Sequence, residues 1–206
     1  MKIRWNGHAS FTLTTDSGKV IVTDPFAPEV GYPLPGIKAD VVTISHSHFD
    51  HNYTGALESF THAISEEGEY EFEDVKISAI PSWHDDDNGA KRGSNLLFKI
   101  TVDGKTVVHL GDLGHLPSEE QAAFISACDV LLIPIGGTYT ITTQQAIELI
   151  KMTRPKTAIP MHFKTDAIQF PITDEKEFAN IMNAEYAPSP ETTLDDLPAC
   201  LILPYK

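Results

Sequence analysis

The sequence predicts a four-layer αββα sandwich of the α/β (α+β) class, two mixed β-sheets packed face to face and flanked by helices, formed as a single domain over residues 1–206. Three observations predict it. Short apolar runs of strand length recur and outnumber helical segments. Strands come first in each half, and strand and helix alternate later in the chain. The 206 residues, 41% of them apolar, suffice for one buried core.

Taken in order, the strand-type runs are residues 9–15, VIVTD at 20–24, VVTIS at 41–45, VKISAI at 75–80, LLFKITV at 96–102, TVVHL at 106–110, DVLLIP at 129–134 and CLILP at 200–204. Asp16-Ser17-Gly18 and Asp103-Gly104 are turn sequences that join neighbouring strands as hairpins. Helical spacing appears from Pro117 to Ala127 after a Pro-Ser start, from Thr143 to Met152 with Ala146, Ile147 and Ile150 on one face, and from Asp174 to Met182 with Phe178, Ile181 and Met182. No internal repeat, low-complexity tract or linker interrupts the chain. Pro25–Gly36 and Asp85–Gly93 read as loops, where sites usually form.

Charge narrows the function classes. Fifteen Lys and Arg against 29 Asp and Glu give −14 and a pI near 4.9, so attraction to a phosphate backbone cannot drive binding and polymeric nucleic acid is excluded as a partner. A small-molecule substrate is the expected partner, with a homo-oligomer left open. No apolar run approaches the roughly 20 residues of a membrane span, and the start MKIRWNGHASF lacks the apolar segment of a signal peptide, so the expectation is a cytoplasmic protein without membrane contact. Cys128 and Cys200, next to DVLLIP and LILP, read as reduced core thiols.

The strongest chemical signal is His46-Ser47-His48-Phe49-Asp50-His51, directly after the strand VVTIS. With nine histidines in the chain, this spacing arises by chance in about one chain in a thousand of this composition. Two histidines one residue apart in a turn can face one point, and the Asp-His pair that follows can face a second. A mixed imidazole and carboxylate set without thiolate points to a catalytic metal rather than a structural zinc. Further ligands must then come from later in the chain, and His84, Asp112 and His162 each stand just beyond a β-type run.

The HxHxDH loop, single His, Gly-Asp and final His appear in the order of the metallo-β-lactamase superfamily, which the chain resembles from residue 24 to 162. Local patterns around His84-Asp85-Asp86, Arg92-Gly93-Ser94-Asn95, His109 to His115, Pro134 to Thr140 and Pro160-Met161-His162 resemble the branch of ascorbate-6-phosphate lactonase and many uncharacterised hydrolases. The resemblance implies two divalent cations, Zn2+ by expectation with Mn2+ or Fe2+ as alternatives. It places His46, His48 and His84 on the first, Asp50, His51 and His162 on the second, and Asp112 between them. It implies that Asp24 supports the metal loop without ligating. The implied chemistry is attack by a metal-bound hydroxide on a small-molecule ester, lactone or phosphoester, with Asp50 also accepting a proton. A small-molecule phosphodiesterase is the nearest alternative. An iron-dependent oxidoreductase is the alternative of another class, disfavoured because His84 stands where flavodiiron relatives depart from the pattern.

Other residues carry two readings each. His8 and His115 are candidates for proton transfer beside Asp50, against a packed histidine for His8 and a surface or supporting role for His115. Arg92 could grip a substrate carboxylate or phosphate, or pair with the neighbouring aspartates. Tyr139, after Gly136-Gly137, could contact substrate or simply follow a tight turn. His109 and His62 read as structural, and Asp85, Asp86 and Asp87 as tuners of His84 or a solvated acidic loop.

Overall fold

Alternation along the strands sorts the side chains into layers. In the computed structural model, which describes residues 1–206, the first sheet contains β1 (Lys2–Gly7), β2 (Ser10–Thr14), β3 (Val20–Thr23), β4 (Lys38–Thr43), β5 (Ser59–Ile64) and β13 (Glu191–Thr193), in the order β13-β1-β2-β3-β4-β5. The second contains β6 (Gly68–Phe72), β7 (Val75–Trp83), β8 (Ser94–Val102), β9 (Lys105–His109), β10 (Val130–Pro134) and β11 (Thr157–Met161), in the order β11-β10-β9-β8-β7-β6. Two short strands, β12 (Glu185–Tyr186) and β14 (Leu201–Ile202), pair separately.

Both sheets are mixed, as expected. β1 to β3 are antiparallel and β3 to β5 parallel; β6 to β9 are antiparallel and β9 to β11 parallel. The hairpins at residues 16–18 and 103–104 join β2 to β3 and β8 to β9. A cluster of 42 buried apolar residues runs between the sheets and on under the helices, with Ile3, Trp5, Phe11 and Ile21 from one sheet, Ile77, Phe98, Ile100 and Leu132 from the other, and Ala146 and Leu149 from the helical layer. On β3 and β4 the neighbouring positions, Val22 and Val42, join Leu57 in a smaller cluster instead, so these strands are apolar on both faces, as parallel strands usually are.

The three α-helices all belong to the second half: α1 (Glu119–Ile125), α2 (Thr143–Thr153) and α3 (Lys176–Met182). Ser118 and Thr142 cap α1 and α2, each in a reciprocal box with the glutamine three residues on. The parallel crossovers of the first sheet hold no α-helix, only 3-10 turns at Pro28–Val30 and Thr54–Ala56. The segment that carries the histidine cluster is therefore loop, free of the helical repeat. No helix is long and apolar enough to cross a membrane.

The sequence reading misses β1, β5, β6, β12 and β13 as strands, and CLILP forms only the two-residue β14. β1 does alternate, Ile3 and Trp5 inward and Lys2 and Arg4 outward. β5 is exposed at every position but its last, so pairing to β4 defines it and hydropathy does not.

Phe98 is fully buried at the centre of β8. Phe98→Ala should lower unfolding stability by about 3–5 kcal/mol, read from urea denaturation at constant slope.

Candidate metal centre

Strand direction decides where the ligand-type residues go. Residue 8 follows β1, residue 24 follows β3, residues 46–51 follow β4, residue 84 follows β7, residue 112 follows β9 and residue 162 follows β11. The pairings make β1, β3 and β4 run one way in the first sheet and β7, β9 and β11 one way in the second. All six loops thus leave carboxyl ends of strands, where α/β sheets build sites. Four of their residues other than glycine hold left-handed backbone, His8 (φ 53°), Asp24 (φ 38°), Asn88 (φ 51°) and His162 (φ 50°), a strain that packing must sustain.

Asp24, fully buried, organises the loop. Its Oδ1 accepts the Ser45 N–H at 2.7 Å, and its Oδ2 accepts Ser45 Oγ–H at 2.5 Å and the His51 Nδ1–H at 2.8 Å. Because Ser45 Oγ gives its proton to Asp24, it can only accept from His46 Nδ1, 3.0 Å away. One carboxylate therefore fixes two tautomers and leaves Nε2 of both His46 and His51 bare, the state a metal ligand needs.

The bare nitrogens face acceptors. His51 Nε2 lies 3.2 Å from Asp112 Oδ2, yet it is buried without a hydrogen-bond partner, as is Asp112 Oδ1. His84 Nε2 and His162 Nε2 lie 3.1 and 3.3 Å from the same Asp112 oxygen, and His46 Nε2 lies 3.0 Å from His48 Nδ1. Nitrogen donors about 2.0–2.1 Å from one tetrahedral cation stand roughly 3.3 Å apart, so these spacings fit a shared ion. Two groupings result, each with donor atoms within 4.8 Å of one another, His46, His48 and His84, and Asp50, His51 and His162 together with His8, and a third, His46 and His51 with Asp112, draws one histidine from each.

The electrostatics agree. Burial alone would lower the His51 pKa, but Asp112 and Asp24 carry it well above the ordinary imidazole value. Asp112 lies well below the carboxylate range against its own burial, through the neighbouring charges of His162 and His51. This pocket demands positive charge between its carboxylates. His46, by contrast, is pushed down to about 3 by burial and by His51.

Asp112 is held from behind. Its N–H donates to Asn95 Oδ1 at 2.9 Å, while Asn95 Nδ2 donates to Ser82 Oγ and to the Leu110 carbonyl. A Cβ on Gly111, at φ 52°, would stand 2.3 Å from Asn95 Oδ1, and one on Gly114 would stand 2.3 Å from the backbone at His84 and Asp85. The Gly-Asp pattern around Asp112 thus reflects close backbone approach as much as ligation.

The structure separates the remaining candidates. His8 is fully buried and its Nε2–H donates to Asp50 Oδ2 at 3.1 Å, with its ring 4.1 Å from that of His162. Burial, then His162, lowers its pKa to about 4, so it is neutral. Asp50 stays below the carboxylate range despite burial, through the His8 hydrogen bond and the His51 charge. His115 requires a correction. Its Nε2 accepts the Trp83 N–H at 3.2 Å and its Nδ1 donates to the Leu116 carbonyl at 2.8 Å, so both nitrogens are engaged in a neighbouring cleft and neither reaches the ligand cluster. His109 is the satisfied core histidine expected, between the Ala9 carbonyl and the Gly111 N–H. His62 stacks on Phe72 at 4.5 Å.

Asp85 tunes nothing by contact with His84. Its carboxylate accepts four backbone N–H groups, from Asp87, Gly89, Lys91 and Arg92, and so shapes the 85–93 loop, with its pKa lowered to about 2 by those bonds against desolvation. The loop delivers Arg92 to the ligand cavity, about 540 Å³, where its guanidinium lies 5.6 Å from the Tyr139 ring centre. Phe49 and Phe170 also line that cavity and were not anticipated. For Phe49 a signal existed: an apolar residue between two ligand-type side chains in a short loop cannot reach a core. Both cysteines are buried and unpaired.

A sequence model of the beta-lactamase superfamily domain matches residues 2–162. A UPF0173 metal-dependent hydrolase of Pelotomaculum thermopropionicum is 33% identical over 198 residues, covering 80% of this chain and 85% of the relative. A crystal structure from Thermotoga maritima, described as a candidate Zn-dependent hydrolase of the metallo-β-lactamase superfamily, superposes with a TM-score of 0.81 at 34% identity, covering 98% of this chain and 97% of that one. Igni18, a metallo hydrolase of Ignicoccus hospitalis, follows at TM-score 0.65 and 27% identity over 88% of this chain and 90% of that one.

Asp24→Asn would place an amide N–H against Ser45 and His51 and undo both tautomer assignments. Metal affinity should fall about 10–100-fold with the fold retained, read by competition with a chromogenic chelator alongside circular dichroism.

Proposed function

The chain belongs to the metallo-β-lactamase superfamily and, within it, to the UPF0173 metal-dependent hydrolases, and from that premise we propose that it is a binuclear hydrolase of small-molecule esters or lactones. The observation that carries this reading is the position of Asp112 Oδ2, 3.1 to 3.3 Å from Nε2 of His84, His51 and His162, in contact with both donor groupings at once. A carboxylate so placed can bridge two cations.

When bound, such a pair supplies Lewis acidity and lowers the pKa of water toward neutrality, roughly from 15.7 to 7 on zinc. The chain's own groups do the rest. His46, His48 and His84 would hold one ion, Asp50, His51 and His162 the other, with Asp112 common to both. Zn2+ suits these nitrogen and oxygen donors, and Mn2+ or Fe2+ suit them less selectively. Asp50 lies at the cavity wall and keeps one oxygen on His8, so its position is fixed while the other oxygen is available to ligate or to take a proton. Arg92 and Tyr139 face the cavity from two adjoining loops and serve substrate rather than metal. Ester or lactone cleavage then needs no protein nucleophile.

The purified protein should carry about two metals per chain by elemental analysis and cleave a lactone or aryl ester in a chelator-sensitive manner, with little action on bis-p-nitrophenyl phosphate. Preferential cleavage of the phosphodiester would replace this reading by the phosphodiesterase one. Asp112→Asn should lose at least one equivalent of metal and about 100-fold or more in turnover, since removing a preorganised charge at a reacting centre costs on that order. Full activity with two metals retained would remove the bridging role.

A further inference from the structure

The cavity beside the ligand cluster has a chemical bias of its own, and what it admits follows from Arg92. The 85–93 loop holds three aspartates, yet none pairs with this guanidinium: Asp85 is saturated by backbone N–H groups, that of Arg92 among them, Asp86 is bonded to Lys91 at 2.8 Å, and no carboxylate oxygen lies within 4.0 Å of the Arg92 guanidinium nitrogens. Of its five N–H donors, Nη2 donates to the Thr138 carbonyl at 3.2 Å, which leaves a fork available to the cavity. The lining contains no lysine and no second arginine. In the Gly136-Gly137 turn the N–H groups of Thr138 and Thr140 are bonded to the carbonyls of Gly136 and Gly137.

One guanidinium fork matches one carboxylate. As the one cationic Lys or Arg side chain of the lining, it balances one negative charge. The rest of the wall is aromatic. Phe49 is 51% exposed at the mouth, Phe170 and Tyr139 are half-buried with ring centres 6.3 Å apart, and together they present apolar faces that a sugar's hydroxyls would not satisfy.

Resting on the hydrolase reading, we infer that the substrate is a small ester or lactone bearing a single carboxylate on an apolar, ring-sized body, with Arg92 anchoring the carboxylate and Phe49 covering the body. Phosphorylated sugars are outside this class.

Isothermal titration of the zinc-loaded protein with 3-phenylpropionate, 3-phenylpropanamide and phenyl phosphate tests it. The acid should bind about tenfold or more tighter than the amide, the scale of a charge-assisted pair. Arg92→Gln should abolish that preference, Arg92→Lys should keep part of it, and Phe49→Ala should weaken acid and amide alike. Equal binding of acid and amide, a preference that survives Arg92→Gln because the metal takes the carboxylate, or tighter binding of phenyl phosphate would each overturn the proposal. A kinetic pair separates it from the hydrolase reading: mono-p-nitrophenyl glutarate against p-nitrophenyl butyrate. Arg92-dependent carboxylate binding with neither ester cleaved defeats the hydrolase and leaves the ligand class standing. Cleavage of both esters with equal kcat/KM defeats the ligand class alone.

Discussion

Two carboxylates, Asp24 and Asp112, are buried in this fold with no lysine or arginine within 4.0 Å of either. A buried charge without a partner is too costly to persist, so the surroundings must supply positive charge. Only imidazoles surround them, and an imidazole neutralises a carboxylate by carrying a proton or by sharing a cation. Asp24 takes the first course, through the Nδ1–H of His51 and the hydroxyl of Ser45. Asp112 faces the Nε2 atoms of His51, His84 and His162, and the Nδ1–H bond that Asp24 accepts turns the His51 Nε2 toward it, so one aspartate orients the imidazole and the other is placed to share a cation with it.

The sandwich makes that arrangement possible by geometry rather than by sequence proximity. Six strands end at one rim, and the first ligand-type residue of each loop stands within three positions of its strand's end, which aims the side chain. The first sheet contributes His46 to His51 on a crossover without α-helix; the second contributes His84, Asp112 and His162 one strand at a time. The two contributions meet at Ser45, whose carbonyl accepts the Leu96 N–H at 2.9 Å and which approaches Gly111 because that residue has no side chain. Positive φ at His8, Asp24 and His162 indicates that packing of the core sets the site against local preference.

Residue type and order made the His and Asp cluster legible, because imidazole and carboxylate runs after apolar strands have few other uses, and the fold brings those side chains together. Central strands and capped helices were legible for the same reason: Ile21, Val41 and Leu132 obey a period that hydropathy reveals, and Ser118 and Thr142 sit where caps belong. What escaped depends on partners rather than on the residue itself. β5 is a strand because β4 is beside it. Asp85 looks like one of three solvated acids until its four N–H donors are seen, and His115 looks like a proton donor until Trp83 and Leu116 engage both nitrogens. Arg92 had two readings in the sequence; in the structure Asp85 and Asp86 are engaged elsewhere and no aspartate pairs with its guanidinium.

That last point links surface charge to selectivity. A net charge of −14 disfavours anionic ligands at long range, but within a Debye length, about 8 Å, local charge dominates. Inside the cavity the local balance is one unpaired guanidinium beside a site built to hold cations, so an anion that crosses the outer field finds attraction only at short distance. The field thereby favours ligands of low charge and the fork favours a planar carboxylate. The aromatic wall adds contact that neither charge provides, and the three together restrict what the metal-activated chemistry meets.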